Sequence, residues 1–447
     1  MNISQTYFAA IDNVAKQMVS EEVMARARKS LLDYLAVTCA GAAFQKEKLQ
    51  NYFIFAEPEE GKFKAIGTGK SLALKESVFL NGLNAHALDF DDGTNSGIIH
   101  LGSPIFSLLF PLAQRYGNSV EELLRAAIIG YEASYTMAVS IQPKHKALGF
   151  HATGTCGMLG ATLAAAYMLG LSDEKRFEAF AAASVAASGM LKVLDDGSEL
   201  KPYNVAKTAL LSLTSLQLAK AGFKGHDDPL GGYRGFIKMM SGDEHTEIKP
   251  TLMNGTYAIM KSYTKPYASC RYTHPPVEAA IHLRNQHGIT AEDVKGIKVE
   301  TYDLAVKGHD HTDIKGAYDA KMSTPYSTAV ALIYGKVGLQ EFGEDVLEND
   351  TVKALTKKVK VMADEELSSI FPDKQSAVLT IETNGKKYSE RVDFPKGEPE
   401  NPLSEDEFYN RYADLMVYGR INKSVYDKIY NYVNVSNMKV EELIKNL

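Results

Sequence analysis

The sequence predicts a mainly α large domain together with a smaller α+β domain, and three observations carry that reading. Apolar residues recur at helical spacing through most of the first 260 residues; strand-like alternation appears after about Lys265; helical patterning returns from Ser404. The expected boundaries are 1–264 with 403–447 for an all-helical large domain and 265–402 for the α+β domain.

Taken in order, Ser20 caps a helix whose Val23, Ala27, Leu31 and Leu35 share one face. Ser119 and Glu122 form a capping-box pattern ahead of Val120, Leu123, Leu124, Ala127, Ile128 and Tyr131. Alanine and other small residues dominate from Gly157 to Ala187, which suits helices that approach one another closely. The stretch "ATGTCGMLGATLAAAYMLGL" (Ala152–Leu171) is uncharged over a membrane-spanning length. It is rich in Gly, Ala and Thr rather than Leu, Ile and Phe, so it reads as a buried core helix.

Beyond Lys265, Pro276 suits the first turn of the helix "VEAAIHLRNQHG", and "GIKVETY" alternates Ile297, Val299 and Thr301 as a half-buried strand does. "AVLTIETNGKKYSERVDF" sets Asn384-Gly385 between two strand-like runs, a hairpin signal. Ser404 and Glu407 make a further capping-box pattern where helices resume.

A chain of 447 residues with 45% hydrophobic and 23% charged residues is long enough for two cores and too apolar for disorder. Its net charge of -6 gives no basis for nucleic acid or an anionic membrane as partner. The start, "MNISQTYFAAIDNVAKQ", lacks the basic lead and apolar run of a signal peptide. Cys39, Cys156 and Cys270 are too few and too scattered for a disulfide framework or a thiolate metal site. The expected compartment is the cytoplasm.

Two motif-like stretches fail on inspection. "GTGKS" (Gly67–Ser71) resembles the end of a phosphate-binding loop, but Lys64 stands where the pattern requires glycine. "HDHTD" (His309–Asp313) has metal-ligand residue types without a completing set elsewhere, and reads as a polar loop.

A third stretch, "LNAHALDFDDGTNSGIIHLGSP" (Leu83–Pro104), gathers carboxylates, histidines and glycines, and it belongs to a series. "GFHATGTCG" (Gly149–Gly157), "ELKPYNVAK" (Glu199–Lys207), "KPYASCRYTH" (Lys265–His274) and "STPYSTAVALIYG" (Ser323–Gly335) follow it. In order and wording the series resembles the MmgE/PrpD family, which includes 2-methylcitrate dehydratase, cis-aconitate decarboxylase and iminodisuccinate epimerase. The resemblance implies a helical large domain, a smaller α+β lid domain, a homodimer, and catalysis on a small di- or tricarboxylate with no metal or organic cofactor.

Carried over by position, the resemblance implies catalytic roles for Asp89, His100, His151, Lys201 and Tyr326, and substrate binding by Thr94, Lys265, Arg271 and His274. The threonine between Asp89 and His100 corresponds to Thr94 if Gly93 is an inserted residue; without an insertion Gly93 takes that position. The chain also departs from the family wording after His100, where it reads "HLGSP" rather than His-Pro.

These residue types suit one chemical problem. Removing a proton or a carboxyl group beside a carboxylate drives electrons towards existing negative charge, which lysine and arginine neutralise. Histidines exchange protons near neutral pH, Asp89 fixes a histidine tautomer or shares in proton transfer, and Tyr326 donates a hydrogen bond. Taken singly, each of these side chains has a structural or surface role as its simpler reading; membership of the series outweighs it for His100, His151, Lys201 and Lys265, while for Tyr326 and His274 the two readings stay balanced. His86 and Cys270 read as structural, and Asp91 and Asp92 as helix caps or loop supports.

The expectation is therefore a lyase of a small polycarboxylate, with dehydration slightly preferred over decarboxylation on family breadth. An epimerase that abstracts and returns a proton is the alternative, and a non-catalytic carboxylate-binding protein is a third reading.

Overall fold

The structure, a computed structural model, describes residues 1–194, 198–435, 437–445 and 447. The chain divides into two compact units: Met1–Leu191, Leu200–Ser262 and Glu405–Leu447 form one, and Lys192–Glu199 with Tyr263–Ser404 form the other.

The larger unit is built from long helices with start signals of the expected kind. The Ser20 hydroxyl accepts from the Val23 amide at the head of helix Glu21–Phe44, and Ser119 and Glu122 complete a reciprocal capping box on Val120–Ile141. Helix Ala152–Met168 is buried along its first fifteen residues, from Ala152 to Ala166. It packs closely on Val120–Ile141 because the contact is made of small residues. A Cβ on Gly160 would lie 1.9 Å from Ser134 Oγ and 2.4 Å from the Gly130 carbonyl. Among the described residues no helix is long and apolar enough to cross a membrane.

This unit is not wholly helical. Strands β1 (Glu60–Ala65) and β2 (Lys70–Leu72) pair antiparallel, and the "GTGKS" stretch forms their turn, with Gly67 and Gly69 at φ 76° and 72°. A turn between antiparallel strands is not the strand-to-helix loop of a phosphate-binding motif.

In the smaller unit β3 (Gly296–Thr301), β4 (Val359–Ala363), β5 (Ala377–Glu382) and β6 (Lys387–Val392) make one sheet in the order β4-β3-β5-β6. β3 and β4 run parallel and the other pairs antiparallel. Ile297, Val299 and Thr301 are buried while Lys298 is exposed, the alternation the sequence shows. Gly385 turns the β5–β6 hairpin at φ 97°. Helix His274–His287, with prolines in its first turn, covers β5 and β6 and packs on helix Thr324–Tyr334.

The "HDHTD" stretch is less solvated than its composition suggests. His309 is buried, its Nδ1 donates to the Met322 carbonyl at 2.7 Å, and its ring meets Tyr272 edge-on.

Candidate active site

The segment from His86 to Ser103 forms the floor of a buried polar cluster in the larger unit. Helix Leu74–His86 ends at His86, and the chain turns back on itself through Asp89, whose φ of 51° is left-handed. A non-glycine residue in that region is strained, and Asp tolerates it better than most. Arg411, from helix Glu405–Tyr418, holds the following residue: its guanidinium bonds the Phe90 carbonyl at 2.9 Å, pairs with buried Asp33, and lies 4.4 Å from the Phe90 ring centroid. The C-terminal helical return thus fixes the loop that carries Asp89.

Each carboxylate of "DFDD" has a separate task. Asp89 Oδ1 accepts from Lys201 Nζ at 2.7 Å. Both oxygens of Asp91 lie 2.9 Å from His86 Nδ1, and Oδ2 also accepts from Ser103 Oγ at 2.5 Å. Asp92 accepts from the Gly102 amide at 2.9 Å and the Tyr131 hydroxyl at 2.5 Å. Burial pushes the Asp92 carboxyl up to about 6 against the pull of the Tyr131 hydrogen bond.

The "HLGSP" wording has a local use here. A Cβ on Gly102 would sit 2.6 Å from Tyr131 Oη and 3.0 Å from Asp92 Oδ1, so glycine leaves room for that contact while Ser103 braces Asp91.

Three histidine rings meet at this floor. The His86 and His100 centroids are 4.6 Å apart, His86 and His151 5.9 Å, and His100 and His151 6.4 Å. Their partners assign their tautomers, because a carbonyl or carboxylate oxygen only accepts. His100 Nδ1 donates to the Asp92 carbonyl at 2.8 Å, which leaves Nε2, 3.7 Å from Asp89 Oδ1, as its working nitrogen. His86 Nδ1 donates to Asp91, and its buried Nε2 has no hydrogen-bond partner among the described residues.

His151, at the N-cap position of helix Ala152–Met168, differs. The Asn204 amide nitrogen, which also faces the Met190 carbonyl, lies 3.2 Å from His151 Nδ1, so that nitrogen accepts and Nε2 carries the proton. Burial, then the proximity of His86, Lys201 and His100, hold the His151 pKa well below its ordinary value. The ring is therefore neutral at physiological pH.

Lys201 opens helix Lys201–Ala221, with Pro202 behind it in the first turn. Asn204 follows three residues later on the same helix face, a spacing that brings a pair onto one site. Asn204 was not marked out by the sequence, and His86, read there as structural, lies within the cluster. The available signals were the i,i+3 relation of Asn204 to Lys201 and the place of His86 five residues before Asp91.

Asp89, His100, His151 and Lys201 are thus brought together. Thr94 is buried in the same segment and pairs its backbone with Ile99, but its hydroxyl is turned onto its own loop: a Cβ on Gly97 would lie 2.7 Å from Thr94 Oγ1. Lys265, Arg271, His274 and Tyr326 belong to the smaller unit. There Lys265 is buried, and the Arg271 Nε donates to Glu398 at 2.6 Å, so much of that charge is already balanced. His274 Nε2 lies 3.2 Å from the Ser269 carbonyl, and Tyr326 donates its hydroxyl to the Glu341 carbonyl at 2.8 Å. Proton transfer by Tyr326 would require that bond to be released first.

One ligating atom from each of His86, Asp89, Asp91 and His100 lies within 4.8 Å of the others, and nitrogen with carboxylate donors is a set that divalent metals accept. The donors already serve other groups, however. Lys201 stands on Asp89 where a cation would bring its charge, and Asp91 is bonded by both His86 and Ser103. The charges present fit an organic anion approached by Lys201 better than a resident metal ion.

Comparison with known proteins agrees along most of the chain. The family description "MmgE/PrpD N-terminal domain" matches residues 8–249, and "MmgE/PrpD C-terminal domain" matches residues 267–423. A cis-aconitate decarboxylase of Aspergillus terreus is 24% identical over 433 residues, covering 90% of this chain and 87% of that protein. The cis-aconitate decarboxylase of Mus musculus is 23% identical over 429 residues, covering 92% and 86%. A probable 2-methylcitrate dehydratase of Saccharomyces cerevisiae is 26% identical over 181 residues, 37% of this chain and 35% of that protein.

Proposed function

The chain belongs to the MmgE/PrpD family, and on that premise we propose that it is a lyase of a small di- or tricarboxylate, with decarboxylation of a cis-aconitate-like substrate as its first candidate reaction. One observation carries the reading: three histidine rings and the Lys201–Asp89 pair converge in one buried cluster. Relatives named for decarboxylation align over most of both chains, whereas a relative named for dehydration aligns over 37% of this chain. That balance moves the preference from dehydration to decarboxylation.

In this reading Lys201, aimed by Asp89, neutralises a substrate carboxylate. Breaking the carbon–carbon bond to a departing carbon dioxide leaves an electron pair that an adjoining alkene and carboxylate delocalise. A proton delivered to carbon then completes the exchange. His100 Nε2 has Asp89 at hand to stabilise its imidazolium form, which suits it to carry that proton. Neutral His151 presents an N–H that can hydrogen-bond the carboxylate whose charge grows. The family premise adds a homodimer and a cytoplasmic compartment to the proposal.

Proton NMR in deuterium oxide tests it with purified protein and a panel of cis-aconitate, 2-methylcitrate, citrate and iminodisuccinate. A decarboxylated alkene with deuterium at one carbon is expected from the first. Loss of water from 2-methylcitrate would reassign the reaction as dehydration, and deuterium exchange without a new compound would make it an epimerase. Saturable binding without turnover would leave only a carboxylate-binding role.

A further inference from the structure

A cavity of about 560 Å³ opens in the larger unit beside the β1–β2 turn. Lys46, Lys64, Lys70, Arg420 and Lys445 line it, and no aspartate or glutamate side chain does so among the described residues. Five cations around one space are a local inversion in a chain of net charge -6. Lys70 Nζ lies 5.0 Å from the Phe53 ring centroid, and Lys445 pairs with Glu442 at 2.5 Å. Lys46, Lys64 and Arg420 make no side-chain hydrogen bond or ion pair with the described residues.

The backbone of the cavity is also unusual. Arg420 has a φ of 61°, a conformation costly for arginine, and it follows Gly419, where a Cβ would approach Cys39 Cβ to 2.8 Å. Tight packing of that glycine fixes the chain so that the next residue brings its guanidinium to the cavity. Across the space, Gly69 is left-handed with nothing within 4 Å of where a side chain would begin, so a ligand can reach the turn. Lys64, whose presence spoils the phosphate-loop pattern in the sequence, is one of the lining cations.

We propose that this cavity binds an organic polyphosphate, with the phosphates among Lys64, Lys70 and Arg420 and an apolar portion against Phe53. Like charges without an acidic partner repel, and an anion of several charges relieves that repulsion at Lys64, Lys70 and Arg420 together. The guanidinium fork and the lysine ammonium groups are matched to phosphate oxygens. The volume falls in the range that holds a small organic ligand rather than a bare ion.

Titration calorimetry of the full chain with adenosine 5′-diphosphate tests the site, using pyrophosphate, adenosine and citrate as comparison ligands. Saturable binding of the diphosphate is expected, weaker at high salt. The double variant Lys70→Met with Arg420→Gly, which also removes the left-handed arginine, should weaken it at least about tenfold for each charge-assisted hydrogen bond removed. Both side chains are exposed, so the unliganded melting temperature should stay close to that of the parent. Absence of saturable binding, or equal affinity in the double variant, overturns the proposal. Equal binding of adenosine or citrate overturns the phosphate assignment, and equal binding of pyrophosphate overturns the apolar contact.

Discussion

Lys201 sets its ammonium 2.7 Å from Oδ1 of Asp89, a residue whose backbone is itself left-handed at φ 51°. The carboxylate is thus held in a conformation that its local sequence does not favour, and the Arg411 grip on Phe90 helps to keep it there. Both partners are largely buried, with side-chain exposures of 13% and 7%.

Removing one partner leaves the other's charge buried. Lys201→Met and Asp89→Asn should each destabilise the fold by about 3 kcal/mol, and the double variant by less than the two together. Turnover should fall by about a hundredfold or more in all three. Urea unfolding and turnover on the same preparations provide the measurement; additive stability losses would show that the pair does not act as a unit.

His86 should matter to turnover beyond its support of Asp91. His86→Gln keeps a donor for the Asp91 carboxylate but cannot exchange a proton at the second nitrogen. It should retain most of the stability and lose about a hundredfold in rate. Activity equal to the parent would confine His86 to holding Asp91.

The fold was legible in the sequence where local signals and burial agree. Ser20, Ser119 and Glu122 cap helices as their spacing indicates, and Asn384-Gly385 turns a hairpin. The β1–β2 pair was missed because Glu60–Ala65 carries charges on its exposed positions and reads as polar linker. For the cluster, motif order pointed to Asp89, His100, His151 and Lys201. It gave no sign that His86 joins them, since its role depends on the chain reversal at Asp89 that brings Asp91 under its ring. Tyr326 shows the converse: a motif position names a side chain, while the Glu341 carbonyl that takes its hydroxyl comes from tertiary packing.

His145, which lies outside the cluster of three rings, makes the fold sensitive to acid. His145 Nδ1 donates to the Met240 carbonyl at 2.7 Å and its Nε2 lies 2.8 Å from Thr155 Oγ1, so both nitrogens are satisfied in the neutral ring. Burial lowers its pKa from 6.5 to about 4. The unfolded chain therefore takes up this proton before the folded chain does. Stability from this group is complete above pH 6.5, declines as pH falls towards about 4, and is constant below that. The loss should reach roughly 3 kcal/mol. Chemical unfolding between these limits should show a smaller slope in His145→Gln, which does not titrate; an unchanged slope would assign the acid sensitivity to other groups.

Two glycines on one stretch of chain separate close packing from backbone freedom. Gly160 lies in the interior of helix Ala152–Met168, where a Cβ would fall 1.9 Å from Ser134 Oγ, whereas Gly170 is left-handed at φ 60° with open space around it. Gly170→Ala should cost about 1 kcal/mol, the penalty for a side chain in that conformation. Gly160→Ala should cost more than about 3 kcal/mol, because two helices must separate along a buried seam. The larger loss should extend to catalysis, since His151 caps the same helix and its imidazole would move with it. Denaturant unfolding and turnover of the two variants check the contrast; equal stability losses would mean that the seam opens to admit a methyl group.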